Sequence, residues 1–232
     1  MDETSNPRQN VTFTSNGGQA HGYLAVPSAG SGPGVVVIQE WWGLTSHIAS
    51  ITDRLAAAGF VALAPDLYGG ATTHDANEAG RLMQELPVDR AARDLAGAVD
   101  FLLARDDVTS ERVGLVGFCM GGSFVLNLAV QEGGKIAAAV PFYPAGQLPD
   151  DYSKLQAAVL AHFGERDDFV PISVADEVSA KITAATGKEP EVRRYPAGHA
   201  FLNDENLLGT YDRDQAIKAW DRTIEFLREH LT

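Results

Sequence analysis

A single cysteine sits in the segment Gly117-Phe118-Cys119-Met120-Gly121-Gly122. An apolar run leads into it and a helix-forming run follows. The pattern is the G-x-S-x-G nucleophile elbow with cysteine in the place of serine. In such a turn the reactive side chain stands at the tip of a cramped strand-to-helix bend. Small residues two before and two after let strand and helix pass close together. The helix N-terminus below the sulfur favours a thiolate, because its N–H groups and dipole stabilise negative charge. Two other readings use the same residues: a buried structural cysteine, and a glycine-rich turn that binds phosphate.

Two further segments bear on the choice. Gly164-Glu165-Arg166-Asp167 follows an apolar run, with Asp167 48 residues after Cys119. Pro196-Ala197-Gly198-His199-Ala200-Phe201 comes next, with His199 32 residues further. The order nucleophile, acid, histidine is that of the α/β-hydrolase triad. Histidine moves a proton at neutral pH. A carboxylate fixes its tautomer and stabilises the imidazolium. Asp168 competes with Asp167 for the acid role; Asp167 is preferred because it comes first off the strand. Taken singly, Asp167 also reads as a helix cap and His199 as an idle loop residue. The three features in this order, each at a strand end, favour catalysis.

The elements that must position these groups alternate along the chain. Residues 11–14 and 20–26 alternate around Asn16-Gly17-Gly18 and predict a hairpin. Largely apolar runs at 35–38, 60–64, 112–118, 136–140 and 157–163 predict strands buried on both faces. Helical periodicity fills the intervals: from Thr45 and Ser46 to Gly59, weakly over 74–86, then over 89–104, 121–130, after Pro171, and near the C-terminus at Ala216, Trp220, Ile224 and Leu227. A short strand is expected at 191–195. Such strand–helix units build a mainly parallel sheet with helices on both faces. The expectation is a single-domain α/β fold over 1–232 with an N-terminal antiparallel hairpin and a flexible tail at 1–9. Reactive groups in such sheets lie beyond the carboxyl ends of the strands.

Composition narrows the function classes. The chain has 232 residues, 18 Lys plus Arg and 31 Asp plus Glu, a net charge of −13. So strong a polyanion is not expected to bind nucleic acid or anionic membrane. One cysteine permits no intrachain disulfide. The polar stretch 1–7 has no apolar core of a signal peptide. No apolar run approaches the ~20 residues of a membrane helix. A cytoplasmic monomer is the expectation. The other histidines, His21, His47, His74, His162 and His230, show no metal spacing, and no nucleotide-binding glycine motif occurs. Neither cofactor nor metal is expected.

The sequence resembles the dienelactone hydrolase family of α/β-hydrolases. The matching marks are Gln39-Glu40 with Gly43, Ala64-Pro65-Asp66-Leu67-Tyr68, the elbow at 117–122, Gly164-x-x-Asp167-x-Phe169-Val170-Pro171, and Gly198-His199-Ala200-Phe201. The resemblance implies a Cys119–His199–Asp167 triad and hydrolysis of a small ester or lactone through an acyl-thioenzyme. It gives Glu40 a role beside the thiol, controlling its ionisation; read without the family, Glu40 is equally a solvated strand-end carboxylate. The oxyanion hole then falls to the backbone N–H groups of Met120 and Trp41. In the family, arginines hold the substrate carboxylate; here Asn203 stands at one such position, and Arg81 is a candidate for the other. A neutral ester or lactone is therefore at least as good a substrate. Trp42, Tyr68, Phe118, Tyr143, Phe169 and Phe201 complete the candidate pocket. Two other classes stay open: a thiol-based redox sensor or reductant, and a non-catalytic binding protein on this fold.

Overall fold

The computed structural model describes residues 6, 8–15 and 18–231. They form two compact units, Met1–Val113 and Gly114–Thr232.

In the first unit, β1 (Val11–Ser15) and β2 (Gly18–Ala25) pair antiparallel, Val11 opposite Gly22. The turn expected at 16–17 lies outside the described residues. β2 pairs antiparallel with β4 (Val61–Pro65), and β4 pairs parallel with β3 (Gly34–Ile38). Both β3 and β4 are buried along their whole length, as continuous apolar runs require. Three helices accompany them: α1 (Ser46–Ala57), α2 (Ala76–Glu85) and α3 (Val88–Leu103). The α1 start falls at Thr45, yet the Thr45 side chain makes no capping hydrogen bond. Asp75 does cap α2, accepting from the Glu78 amide. Of the segment 1–9, expected as a tail, Asn6 is buried and its side-chain amide donates to Leu44 O at 2.9 Å, while Gln9 donates to Asp66 at 2.8 Å. Residues 1–5 and 7 are not described.

The second unit carries the strands in the order β5 (Val113–Phe118), β6 (Ile136–Phe142), β7 (Ala158–Gly164), β8 (Glu191–Tyr195). β6 and β7 pair parallel, as do β7 and β8. The helices are α4 (Met120–Glu132), α5 (Ser173–Thr186) and α6 (Arg213–His230). Among the described residues, no helix is long and apolar enough to cross a membrane.

One polar residue interrupts the apolar interior of β7. His162 is fully buried, stacked on Phe142 with ring centroids 4.2 Å apart. Burial pulls its pKa down to about 3, helped by the charges of Arg222 and Arg193. The folded protein therefore holds a neutral imidazole where the unfolded chain takes a proton below about pH 6.5. Because the folded value is depressed, the linked stability is complete above pH 6.5 and erodes as pH falls toward 3. We expect His162→Gln to flatten the fall of unfolding free energy between pH 6.5 and 4 by up to about 1.4 kcal/mol per pH unit, measured by urea denaturation. Parallel wild-type and variant profiles would show that this imidazole is not responsible.

Candidate active site

The elbow comes from local geometry. Chain direction reverses at Cys119, between β5 and α4, with φ 54° and ψ −119°. A residue other than glycine rarely adopts a positive φ, and such strain persists only where the surroundings enforce it. Here they do: Cys119 N donates to Phe142 O at 3.1 Å, and Cys119 O accepts from the amides of Gly122, Ser123 and Ala145. A side chain at Gly117 would collide with the Gly121 backbone and approach Val125 within 2.8 Å. Cys119 is 9% exposed.

Asp167 follows the end of β7 and His199 the end of β8. Those strands are parallel neighbours with Gly164 opposite Tyr195, so their C-terminal loops emerge side by side. Two backbone bonds tie the loops together: Glu165 N to Tyr195 O at 2.8 Å and Arg166 N to Ala197 O at 3.0 Å. The approach is so close that a Cβ on Gly164 would lie 2.6 Å from Ala197 O. His199 is held further by Thr210, whose hydroxyl donates to His199 O. Ala200, the next residue, sits at φ 56°.

These constraints bring His199 Nδ1 to 2.8 Å from Asp167 Oδ2. Both side chains are buried, 3% and 1% exposed. Asp167 Oδ1 accepts the amides of Phe169 and Val170, each at 2.8 Å, so the carboxylate cannot turn away. Asp168, the alternative acid, faces solvent. With its proton on Nδ1 and directed at the carboxylate, the imidazole presents the Nε2 lone pair, the form of a general base. Nε2 is buried and makes no hydrogen bond. The ring lies between Tyr143 (5.0 Å) and Phe169 (4.8 Å). Tyr143 is fully buried at φ 36°, whereas Phe169 is 56% exposed.

The remaining candidates fall into several groups. Phe118 and Phe201 are fully buried; Phe118 packs on Phe142, and Phe201 on Tyr143 and Tyr195. Asn203 is buried and accepts the Glu205 amide at 2.9 Å. Met120 opens α4 and is buried. In the first unit, Glu40 lies just beyond β3 and is buried, as is Gln39, whose Oε1 accepts the Leu67 amide. Trp41 and Trp42 follow, with ring centroids 4.9 Å apart. Tyr68 is half-buried beyond β4. Arg81 is 51% exposed, and its guanidinium pairs with Glu78 and Glu85 of its own helix.

Sequence reasoning passed over the group beneath the histidine loop: Tyr195, Arg222 and Thr223, with His162 noted only for lacking metal spacing. A signal existed. A histidine inside an otherwise apolar buried strand must find polar partners.

A cysteine at a strained strand-to-helix turn, with an aspartate–histidine pair carried on the loops after later parallel strands, is the arrangement of the α/β-hydrolase class. Residues 20–231 match the model of the dienelactone hydrolase family, and the chain belongs to that family. "Protein usf" of Aquifex pyrophilus is 37% identical over 232 residues, covering 97% of this chain and 99% of its own. An Aquifex aeolicus protein with the provisional name carboxymethylenebutenolidase is 33% identical over 231 residues, covering 96% and 99%. The crystal structure of a dienelactone hydrolase-like promiscuous phosphotriesterase from metagenomic libraries superposes with a TM-score of 0.83 at 29% identity, covering 97% and 98%.

The loop contact at Gly164 makes a direct test. Its obstacle is backbone, which cannot swing aside, so Gly164→Ala should cost on the order of 1–3 kcal/mol and lower turnover. Gly134→Ala, whose Cβ would meet only the Gln156 side chain at 3.5 Å, should be close to neutral. Equal effects in denaturation and turnover assays would refute the assignment of Gly164 to loop spacing.

Proposed function

We propose that this enzyme hydrolyses carboxylic esters or lactones of small molecules through an acyl-thioenzyme on Cys119. The observation that carries the reading is the His199 imidazole, fixed by Asp167 with Nε2 unengaged, in the same unit as a strained elbow cysteine. His199 takes the thiol proton. The thiolate forms a bond to the carbonyl carbon, and the resulting oxyanion is held by the Met120 amide. Collapse breaks the carbon–oxygen bond, and the leaving alkoxide takes the proton from His199 Nε2. Water, deprotonated in turn by His199, attacks the thioester and regenerates the thiol with release of the acid. In the family pattern the carboxylate at the position of Glu40 controls thiol ionisation, and here that carboxylate is buried beyond β3. A thiol that ionises only with substrate bound is shielded from oxidation.

Substrate charge is the second part of the proposal. The family's carboxylate-binding arginine is replaced by Asn203, and Arg81 is engaged by two glutamates. Tyr143 and Phe169 give the surroundings of His199 an apolar character. We therefore assign a neutral lactone or ester, with the aromatic face of Phe169 open to it.

Two measurements check these assignments. Cys119→Ala should abolish turnover of activated esters while leaving the circular dichroism spectrum and melting temperature near wild type; retention of full activity would remove the thiol from the mechanism. For a lactone bearing a carboxylate and its methyl ester, kcat/KM should favour the methyl ester by about tenfold, since the free carboxylate would shed its water against Tyr143 and Phe169 without gaining a charge-assisted hydrogen bond. Preference for the free acid would overturn the neutral-substrate assignment.

A further inference from the structure

Below the histidine loop runs a chain of hydrogen bonds whose proton positions follow from valence alone. Thr223 has one hydroxyl hydrogen and donates it to Ala219 O at 2.9 Å. Its oxygen, 3.2 Å from His162 Nε2, must then accept, so the His162 proton is on Nε2. Nδ1 is left as an acceptor, and the Tyr195 hydroxyl, 2.8 Å away, donates to it. The Tyr195 oxygen accepts in turn from Arg222 Nη1 at 3.1 Å. The Arg222 guanidinium also sits 5.6 Å from the Tyr195 ring centroid. Both imidazole nitrogens and the phenol are buried and satisfied, where an unpaired polar group costs about 1–3 kcal/mol, while Arg222 reaches the phenol from the exposed side of α6.

The placement of the chain is what gives it meaning. His162 is on β7, two residues before Gly164; Tyr195 is the last residue of β8; Arg222 and Thr223 are on α6. The bonds fasten to one helix the two strands whose ends carry Asp167 and His199. The links continue upward. Tyr195 packs on Phe201 (5.0 Å), Phe201 on Tyr143 (5.6 Å), and Tyr143 on His199 (5.0 Å). His162 O accepts the Tyr143 amide at 2.7 Å, which helps hold that residue at its positive φ. Displacement of a catalytic group by about 1 Å can cost 10²-fold in rate, and a carboxylate–imidazole pair spanning two loops is exposed to that error.

We propose that Tyr195, His162, Arg222 and Thr223 are positioning residues that set the register of the Asp167–His199 pair through its two parent strands. The proposal rests on His199 and Asp167 being the working base and acid. The test is Tyr195→Phe, which keeps the ring and removes the donor to His162. We expect kcat to fall about tenfold with KM within about twofold, and the low-field Nδ1 proton resonance of His199, assigned by its loss in His199→Gln, to move or broaden. Leu95→Ala in α3, destabilised by a cavity, serves as the control and should keep wild-type kcat. Should Tyr195→Phe not fold, Arg222→Met, which keeps the aliphatic stem and removes the donor to the phenol together with the guanidinium charge over its ring, should lower kcat about threefold and shift the same resonance. Unchanged kcat and resonance in a variant that merely melts earlier would overturn the proposal. Activity retained in Cys119→Ala would instead overturn the thiol mechanism, while the resonance would still report on the network.

Discussion

The hydrogen bond from His199 Nδ1 to Asp167 Oδ2 is the interaction around which the second unit is arranged. It joins side chains from two separate loops at 2.8 Å, in surroundings where both are almost wholly buried. A buried carboxylate is tolerated only when its oxygens find donors. Asp167 has three: two backbone amides and the imidazole. The same saturation that makes burial affordable removes rotational freedom from the carboxylate. The imidazole is fixed by consequence, through its partner, its carbonyl bond to Thr210 and the aromatic rings on its faces.

Backbone strain marks the same region. Cys119, Tyr143 and Ala200 all adopt positive φ without being glycine, each costing on the order of 1–3 kcal/mol. Each follows a strand end or His199. Burial and backbone hydrogen bonds hold them there: Cys119 bonds to the Phe142 carbonyl and the Tyr143 amide to the His162 carbonyl. The neighbouring strands β6 and β7 thus stabilise conformations that the local chain would not choose. Stability and function are coupled at this point, because loosening the sheet would relax the geometry of the reactive groups.

Membership of the dienelactone hydrolase family fixes the architecture and the class of enzyme. An arginine and an asparagine differ in kind at a carboxylate site, since only the guanidinium offers a charged, forked pair of donors. Asn203 is instead buried and bonded within its own turn. Arg81 faces solvent on α2, neutralised by residues one helical turn away on either side. The aromatic character around His199 comes from residues with opposite exposure, Tyr143 beneath and Phe169 outside.

The element order, the strand-to-helix turn and the succession of cysteine, aspartate and histidine are all legible in the amino-acid sequence. These are local matters: strand burial is written in unbroken apolar runs, and a tight strand–helix turn admits few residues besides glycine. The sequence favoured Asp167 over Asp168 as the first acid off the strand, but the tertiary structure alone shows its Oδ2 2.8 Å from His199 Nδ1, a meeting with a loop 32 residues away that spacing does not supply. Only it showed Arg81 paired along its own helix, and His162 joined to Tyr195, Thr223 and, through the tyrosine, Arg222. Those partners lie up to 61 residues from His162 in the chain. They meet because strand pairing and helix packing fix where each residue falls, a collective outcome that no short window of sequence contains.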